Sequence, residues 1–456
     1  MLSPAAVDYS IEQLHRIAGL SCSDIDIIYG QPRVGPWARP TVFVRPAVAD
    51  SFARLVSAAD DSLDRLSPED VVPRGTSAPI DHPVPVLFWG RNDQVSRPPF
   101  AEQQAGAIVM NVDIIAAAFF MLSRWEEVVV PRSDGHGRFP GAASVAYRQR
   151  FLDRPIVDEY ALILRRWVQA QFPAVPVRPA KFKVRLTHDV DVPLASRLGF
   201  VRHAIGDVAK RHDISAAYQR FRQRINRQDP FLQGIHTLAQ TSQQNGLRSV
   251  FYIMSAVRSR FDDGYDPTVD ALQDVWKMLD KAGHEIGFHP GYFTHQNRER
   301  FFDEKNRAEA AIGNKRFGSR QHFLRFAVPG TWQVCQAAGL THDATAGYAD
   351  AEGFRCGTSH PFRPFDASSQ REMDLVEIPL IAMDATLKKY RGYSPEQGGA
   401  RIIQLAEYCR QVEGTFSLLW HNTCFHGSWQ PWGQMYCDFV PHLAELQTGS
   451  RPAKAA

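Results

Sequence analysis

The chain has 456 residues, 44% hydrophobic and 22% charged, with a formal net charge of +3, an ordinary composition for a globular protein in water. That balance gives no electrostatic case for nucleic acid or for a strongly acidic partner. No apolar run reaches the roughly 18 residues of a membrane span, and the N-terminus lacks a basic region followed by an apolar one. The six cysteines (22, 335, 356, 409, 424, 437) are scattered without a metal-like pair, so a cytoplasmic protein with free thiols is expected.

At about 150 residues per domain, the length suits two units. Residues 1–178 mix short strands (TVFVRPAV, PVPVLFWG) with helices such as NVDIIAAAFFMLSRWEEVV, and the proline-rich FPAVPVRPAK (172–181) marks a seam. Residues 179–456 then alternate. A strand at 182–191 precedes helices to about 245, strand SVFYIM (249–254) and helix TVDALQDVWKMLDKAG. Strand HEIGFH (284–289), a long helix near 297–313, strand QHFLRFA (321–327) and helix TWQVCQAAG follow, then short strands LTHDATA, LVEIPLIAM and TFSLLWH. Such alternation predicts a parallel sheet or a (β/α) barrel. We expect an α/β protein: a distorted (β/α) barrel preceded by a smaller α/β N-terminal domain. Between Arg197 and Arg227, eight Lys or Arg interleave with Ile214, Tyr218, Phe221 and Ile225 at helical spacing. This reads as a helix with one packed and one solvated face, or as a peripheral contact with an anionic membrane surface.

The chemistry concentrates around LTHDVDVP (186–193). On a strand, Thr187, Asp189 and Asp191 share one face and His188 and Val190 the other, and Pro193 ends the ladder. Two carboxylates so close repel, which a proton or a metal ion relieves; a solvated turn is the plainer reading of this octet alone. Three histidines stand at other strand ends: His289 in GHEIGFHPGY, His322 in SRQHFLRF beside Arg320 and Arg325, and His421 in FSLLWHNTCF. RFDDGYD (260–266) carries Asp-Gly turn chemistry and reads as a loop. His188 reads as a core histidine. GFRCGTSHPFRPFD (353–366) supplies Arg355, Thr358 and His360 either to a substrate pocket or to a packed loop.

LTHDVD, AGHEIGFHP, LRFAVPGTW and LLWHNT, in that order, resemble the motifs of the polysaccharide deacetylases of the NodB-homology group (carbohydrate esterase family four). The likeness spans about residues 180–440, and the part before it, with FFMLSRWEE and DGHGRFPGA, looks like the companion domain of one bacterial branch of that family. The resemblance implies a metal-dependent hydrolase that removes an N-acyl group, typically acetyl, from an amino sugar or a surface-polysaccharide precursor, the latter lipid-linked in some cases. It implies Asp189 as catalytic base, His421 as general acid, Arg325 as the arginine orienting the base, and Asp384 as the acid holding His421. It implies Asp191 and His289 as ligands of a divalent ion, zinc above all. Tyr292 and Trp332 are candidate sugar-stacking faces, and Arg355 a candidate substrate contact.

The chain departs from the family pattern at one position. The family's second ligand histidine follows the first by four residues, where this chain has Phe293. His322 or His295 is left to supply the third ligand, and we expect His322. Three rival readings remain on the sequence. A D-x-D phosphatase would need a downstream Ser/Thr, a Lys and an acidic motif at strand ends. A D-x-D glycosyltransferase would need a nucleotide-binding half. A carbohydrate-binding or scaffold protein on an inactive deacetylase barrel would be consistent with Phe293.

Overall fold

The computed structural model describes residues 2–91, 98–130, 132–195, 229–313 and 316–449; the basic stretch 197–227 lies outside them. In the N-terminal part, helix Pro4–Ala18 is capped by Ser3, which accepts the Ala6 N–H at 3.2 Å. A four-stranded sheet follows, in the order Asp26–Tyr29, Thr41–Val44, Ala107–Met110, Ala101–Gln104. Its first three strands are parallel and its last pair antiparallel. Helix Ile114–Leu122 is buried on every side, as its all-apolar sequence requires.

The sequence predicts that this helix runs on through SRWEEVV. The chain instead breaks at Arg124, whose backbone is left-handed (φ 51°), before a short helix at Trp125–Val129. The buried Arg124 guanidinium is the physical reason. It donates to Glu126 at 2.7 Å, Glu127 at 2.9 Å and the Tyr348 hydroxyl at 2.9 Å, a pattern that a continuous helix would not present.

The C-terminal part is built on a five-stranded sheet in the order Ala382–Met383, Thr415–Leu419, Lys183–Val190, Ser249–Met254, Glu285–His289. Every neighbouring pair is parallel. Strand Ser249–Met254 is buried at all six residues, which is why it reads as a continuous apolar run rather than an alternating one. Single parallel bridges continue the pattern from Phe288 to Ser319 and on to Asp343, and His342–Asp343 pairs in parallel with Val376–Glu377. The chain after that strand donates from Ile378 N–H to Asp343 O at 2.9 Å and from Ile381 N–H to Ser417 O at 3.0 Å. Helices Pro395–Gln411 and Gln430–Thr448 pack on each other and on this sheet.

The expected strand at 321–327 does not form. Pairing stops with the Ser319 bridges, and His322–Leu324 is a tight turn with Phe323 at φ 61° and Leu324 at φ 53°. The proline-rich connection around 172–181 does not separate two self-contained cores: residues 182–443 hold a cluster of their own, but the cluster before the connection reaches across it. One hydrophobic cluster joins side chains from residues 6–175 to others from 288–375, with Tyr9 and Phe119 both ring-packed on Phe365.

Candidate metal centre

Parallel strands all deliver their carboxyl ends to one edge of a sheet, and ligand chemistry gathers there. Asp189 and Asp191 leave strand Lys183–Val190 at that edge, His289 ends strand Glu285–His289, and His421 follows strand Thr415–Leu419. The alternation works as the sequence predicts. Thr187 and Asp189 both face the buried guanidinium of Arg320, which donates to Thr187 Oγ1 at 2.6 Å and lies 3.5 Å from Asp189 Oδ1. His188 points the other way, its ring nitrogens 2.9 Å from Trp420 O and 3.0 Å from Ser249 Oγ.

Asp191, His289 and His322 converge, with their ligand atoms all within 4.8 Å of one another. Asp191 Oδ1 lies 3.1 Å from His289 Nε2 and 3.6 Å from His322 Nε2. Each imidazole is oriented from behind. His289 Nδ1 donates to Arg320 O at 2.5 Å, and His322 Nδ1 sits 2.9 Å from Asp262 Oδ1. Bonds at Nδ1 leave Nε2 facing the cluster, which is how proteins hold metal-ligating histidines. Asp191 Oδ1 and His289 Nε2, buried and close to each other, make no aligned hydrogen bond together or with any other described group, a cost that a divalent cation between them would remove. One carboxylate and two imidazoles, with room for a further ligand, fit zinc and related divalent ions. The residues present therefore fit the ion that the resemblance implies.

Electrostatics agree with a site built for positive charge. Burial pushes the Asp191 carboxyl up, but His322, His289 and His421 outweigh it and hold it well below the usual range. Burial alone would lower His322; Asp191 and Asp262 instead raise it to about 9 in the cation-free protein. His421 stands beside the cluster, its Nε2 3.6 Å from Asp191 Oδ2 and its Nδ1 2.8 Å from Asp384 Oδ1. A cavity of about 240 Å³ opens here, lined by Asp189, Asp191, His322, His421, Trp429 and the apolar Leu324 and Leu419.

The other expected site residues lie elsewhere. Arg325 does not face Asp189; it donates to His136 O at 2.7 Å and Tyr292 O at 2.6 Å, with its guanidinium over the Tyr292 ring. The arginine at Asp189 is Arg320, because the chain turns sharply between the two. Tyr292 is buried and stacked on Phe261, with its hydroxyl on His136. Trp332 is wholly buried and donates to Glu377 at 2.7 Å. Arg355 is buried in a two-pronged pair with Glu127. Neither Trp332 nor Arg355 lines the cavity. His295 is half-buried beside Gln321 and Thr331, outside the ligand cluster.

Sequence reasoning missed Asp262, which sits in the RFDDGYD loop. Its Oδ1 takes both His322 and the Tyr292 N–H (2.7 Å), while its Oδ2 accepts the Ser259 hydroxyl (2.7 Å). Its turn chemistry was legible; its partner, 60 residues on, was not.

Comparison with known proteins adds little to this geometry. Residues 66–173 match the model of a family of unknown function (DUF7033). No curated protein matches the chain. Among solved structures, one titled "putative polysaccharide deacetylase from Mycobacterium smegmatis" is similar at 16% identity. The match covers 58% of this chain and 84% of that one, with a TM-score of 0.39.

Proposed function

We propose that the protein is a metal-dependent hydrolase that removes an N-acyl group, acetyl in the first instance, from an amino sugar or a surface-polysaccharide precursor. One observation carries this reading: half-buried Asp191 and buried His289 and His322 form a cluster with two orphaned ligand atoms, and it shares a small cavity with a second carboxylate and an acid-paired histidine. We further read the sheet and its single-residue bridges as a distorted (β/α) barrel, whose carboxyl-end face holds this site.

A bound divalent ion would polarise the acyl oxygen and lower the pKa of water to about 7. The chain's own groups do the rest. Asp189, aimed by Arg320 and 3.8 Å from His289 Nε2, takes the proton of the attacking water. His421, whose Nδ1–H is fixed on Asp384, presents a protonated Nε2 to the leaving amine. Leu324 and Leu419 offer an apolar wall for the acyl carbon chain. A phosphatase of the D-x-D kind has no use for three converging histidines.

The test is metal analysis together with acetate release. Wild type should hold roughly one divalent ion per chain, as three protein ligands and an open position imply. His322→Ala should lose the ion and His295→Ala keep it. Wild type should release acetate from members of a panel of N-acetylated amino sugars and oligosaccharides, and Asp189→Asn should not. A wild-type protein that takes up no metal even after reconstitution with zinc would turn the case to a carbohydrate-binding protein.

A further inference from the structure

The turn that presents His322 is strained. Phe323 (φ 61°, ψ 12°) and Leu324 (φ 53°) are consecutive non-glycine residues in the left-handed region, a conformation that persists only where the surroundings impose it. What imposes it comes from a turn some 185 residues earlier in the chain. Arg138, only 7% exposed, donates from Nη1 to the Phe323 carbonyl at 3.0 Å. Asp134 anchors the same guanidinium at 2.8 Å, and its Nη2 donates to the Tyr390 hydroxyl at 3.1 Å.

The contact is reciprocal. Arg325, one residue past the strained pair, donates from Nε to the His136 carbonyl at 2.7 Å. The His136 ring lies 5.0 Å from that of Phe323. The Asp134–Arg138 segment is itself prefolded for this: Asp134 Oδ1 accepts the His136 N–H at 2.8 Å and the Arg138 N–H at 3.0 Å. Gly137 adopts φ 74°, and a Cβ there would come within 3.3 Å of Arg325 Nη2. Arg138, Phe323 and Leu324 line the same cavity as Asp189, Asp191 and His421.

We propose that the Asp134–Arg138 turn of the N-terminal part is a positioning element of the catalytic site: through Arg138 it holds the strained His322–Leu324 turn, and with it the third cation ligand. This gives the DGHGR segment a role and makes the N-terminal part a working component of the site. The inference rests on the proposed metal-dependent activity. Without Arg138 the turn relaxes, His322 loses its aim, and Leu324 leaves the cavity wall.

The test is titration of the apo full-length chain with Co²⁺, read by its visible absorption, and with Zn²⁺ by competition. The set is wild type, Arg138→Ala, Arg138→Lys, His322→Ala and, as a control, Arg165→Ala. Arg165 is also a buried arginine of the N-terminal part, but it pairs with Glu413 away from the cavity. Arg138→Ala should bind the ions about 10–100-fold more weakly, the usual cost of losing an outer-shell partner. Its cobalt spectrum should move toward that of His322→Ala, and added guanidinium ion should restore it. Arg165→Ala should lose thermal stability and keep wild-type binding and spectrum. If Arg138→Ala does not fold, Arg138→Lys decides by the same readouts, since one ammonium nitrogen cannot span the partners that the guanidinium reaches from Nε, Nη1 and Nη2. Wild-type affinity and spectrum in a folded Arg138 variant would overturn the inference and leave the proposed activity standing. No cobalt uptake by wild type would overturn the activity itself.

Discussion

His421 is held at two points by one carboxylate. Asp384 accepts the His421 ring Nδ1–H at 2.8 Å and its backbone N–H at 2.7 Å, and it also takes the Cys424 thiol at 2.9 Å. Burial lowers the affinity of His421 for a proton, but Asp384 and then Asp191 and Asp189 reverse this and raise it to about 9 in the cation-free protein. A raised pKa means the proton-donating form is present below that value and lost as pH rises through it. A cation on Asp191 removes part of the raising charge, so the alkaline limb of kcat should fall at or below pH 9. Asp384→Asn should move that limb to lower pH and reduce kcat near neutrality by about 10²–10⁴, the usual range for a positioned acid. A pH–rate profile of both proteins decides it; an unmoved limb would assign the proton donor elsewhere. The pairing of Asp384 with His421 was expected from the resemblance alone, and the two side chains do meet. Arg325 was misassigned because an arginine's reach depends on the turn beneath it, and two left-handed non-glycine residues carry no local sequence signal.

Among the elements, the short strands His342–Asp343 and Val376–Glu377 set two carboxyls directly opposite each other, Asp343 against Glu377. Both are wholly buried. Burial first, and for Glu377 then the charge of Asp343, raises both above the carboxylate range, Glu377 far above. Like charges facing across a ladder are unfavourable, so the pair keeps a proton that the unfolded chain would release. Stability from this source is therefore full below the ordinary carboxylate range, and it falls as pH rises toward the folded pKa, by up to about 1.4 kcal/mol per pH unit. Glu377→Gln should cost about 1–3 kcal/mol at pH 5, because the Trp332 indole and the Ala346 N–H donate to different carboxyl oxygens, and the amide puts a donor NH2 in place of one of them. Its deficit should shrink between pH 5 and pH 8 as the wild type loses stability. Urea melts at both values measure this; a constant deficit would mean both carboxyls ionise together. The same strands mark where elements stopped being readable. Ser249–Met254 and Thr415–Leu419 were plain as apolar runs, whereas the chain from Ser319 to Met383 forms two-residue strands and bridges. Those are fixed by distant partners rather than by alternation.

At the scale of the whole molecule, the two parts of the chain share what two independent domains would each keep separate. The Arg355 guanidinium meets the Glu127 carboxylate with both prongs, Nε to Oε1 at 2.9 Å and Nη2 to Oε2 at 2.5 Å, with both side chains almost fully buried. Arg124 joins the same carboxylate, and the apolar cluster around it draws on both parts. A buried pair of this kind adds little over a well-packed apolar contact, but removing one partner strands the other at a cost of about 3–5 kcal/mol. Glu127→Ala strands Arg355, while Arg124 keeps Glu126 at 2.7 Å, so its loss should lie within that range. The full chain should accordingly melt in one transition, and Glu127→Ala should shift that whole transition downward rather than detach an N-terminal phase. Residues 179–456 expressed alone would strip Tyr9 and Phe119 from Phe365, Glu127 from Arg355 and Arg138 from the Phe323 carbonyl. That fragment should lack a cooperative melt and fail to retain a divalent ion. Differential scanning calorimetry of the full chain, the Glu127→Ala variant and the fragment, with metal content of each, reads both effects. A fragment that melts cooperatively and keeps its ion would make the N-terminal part an appendage; one that does neither makes the site a property of the undivided chain.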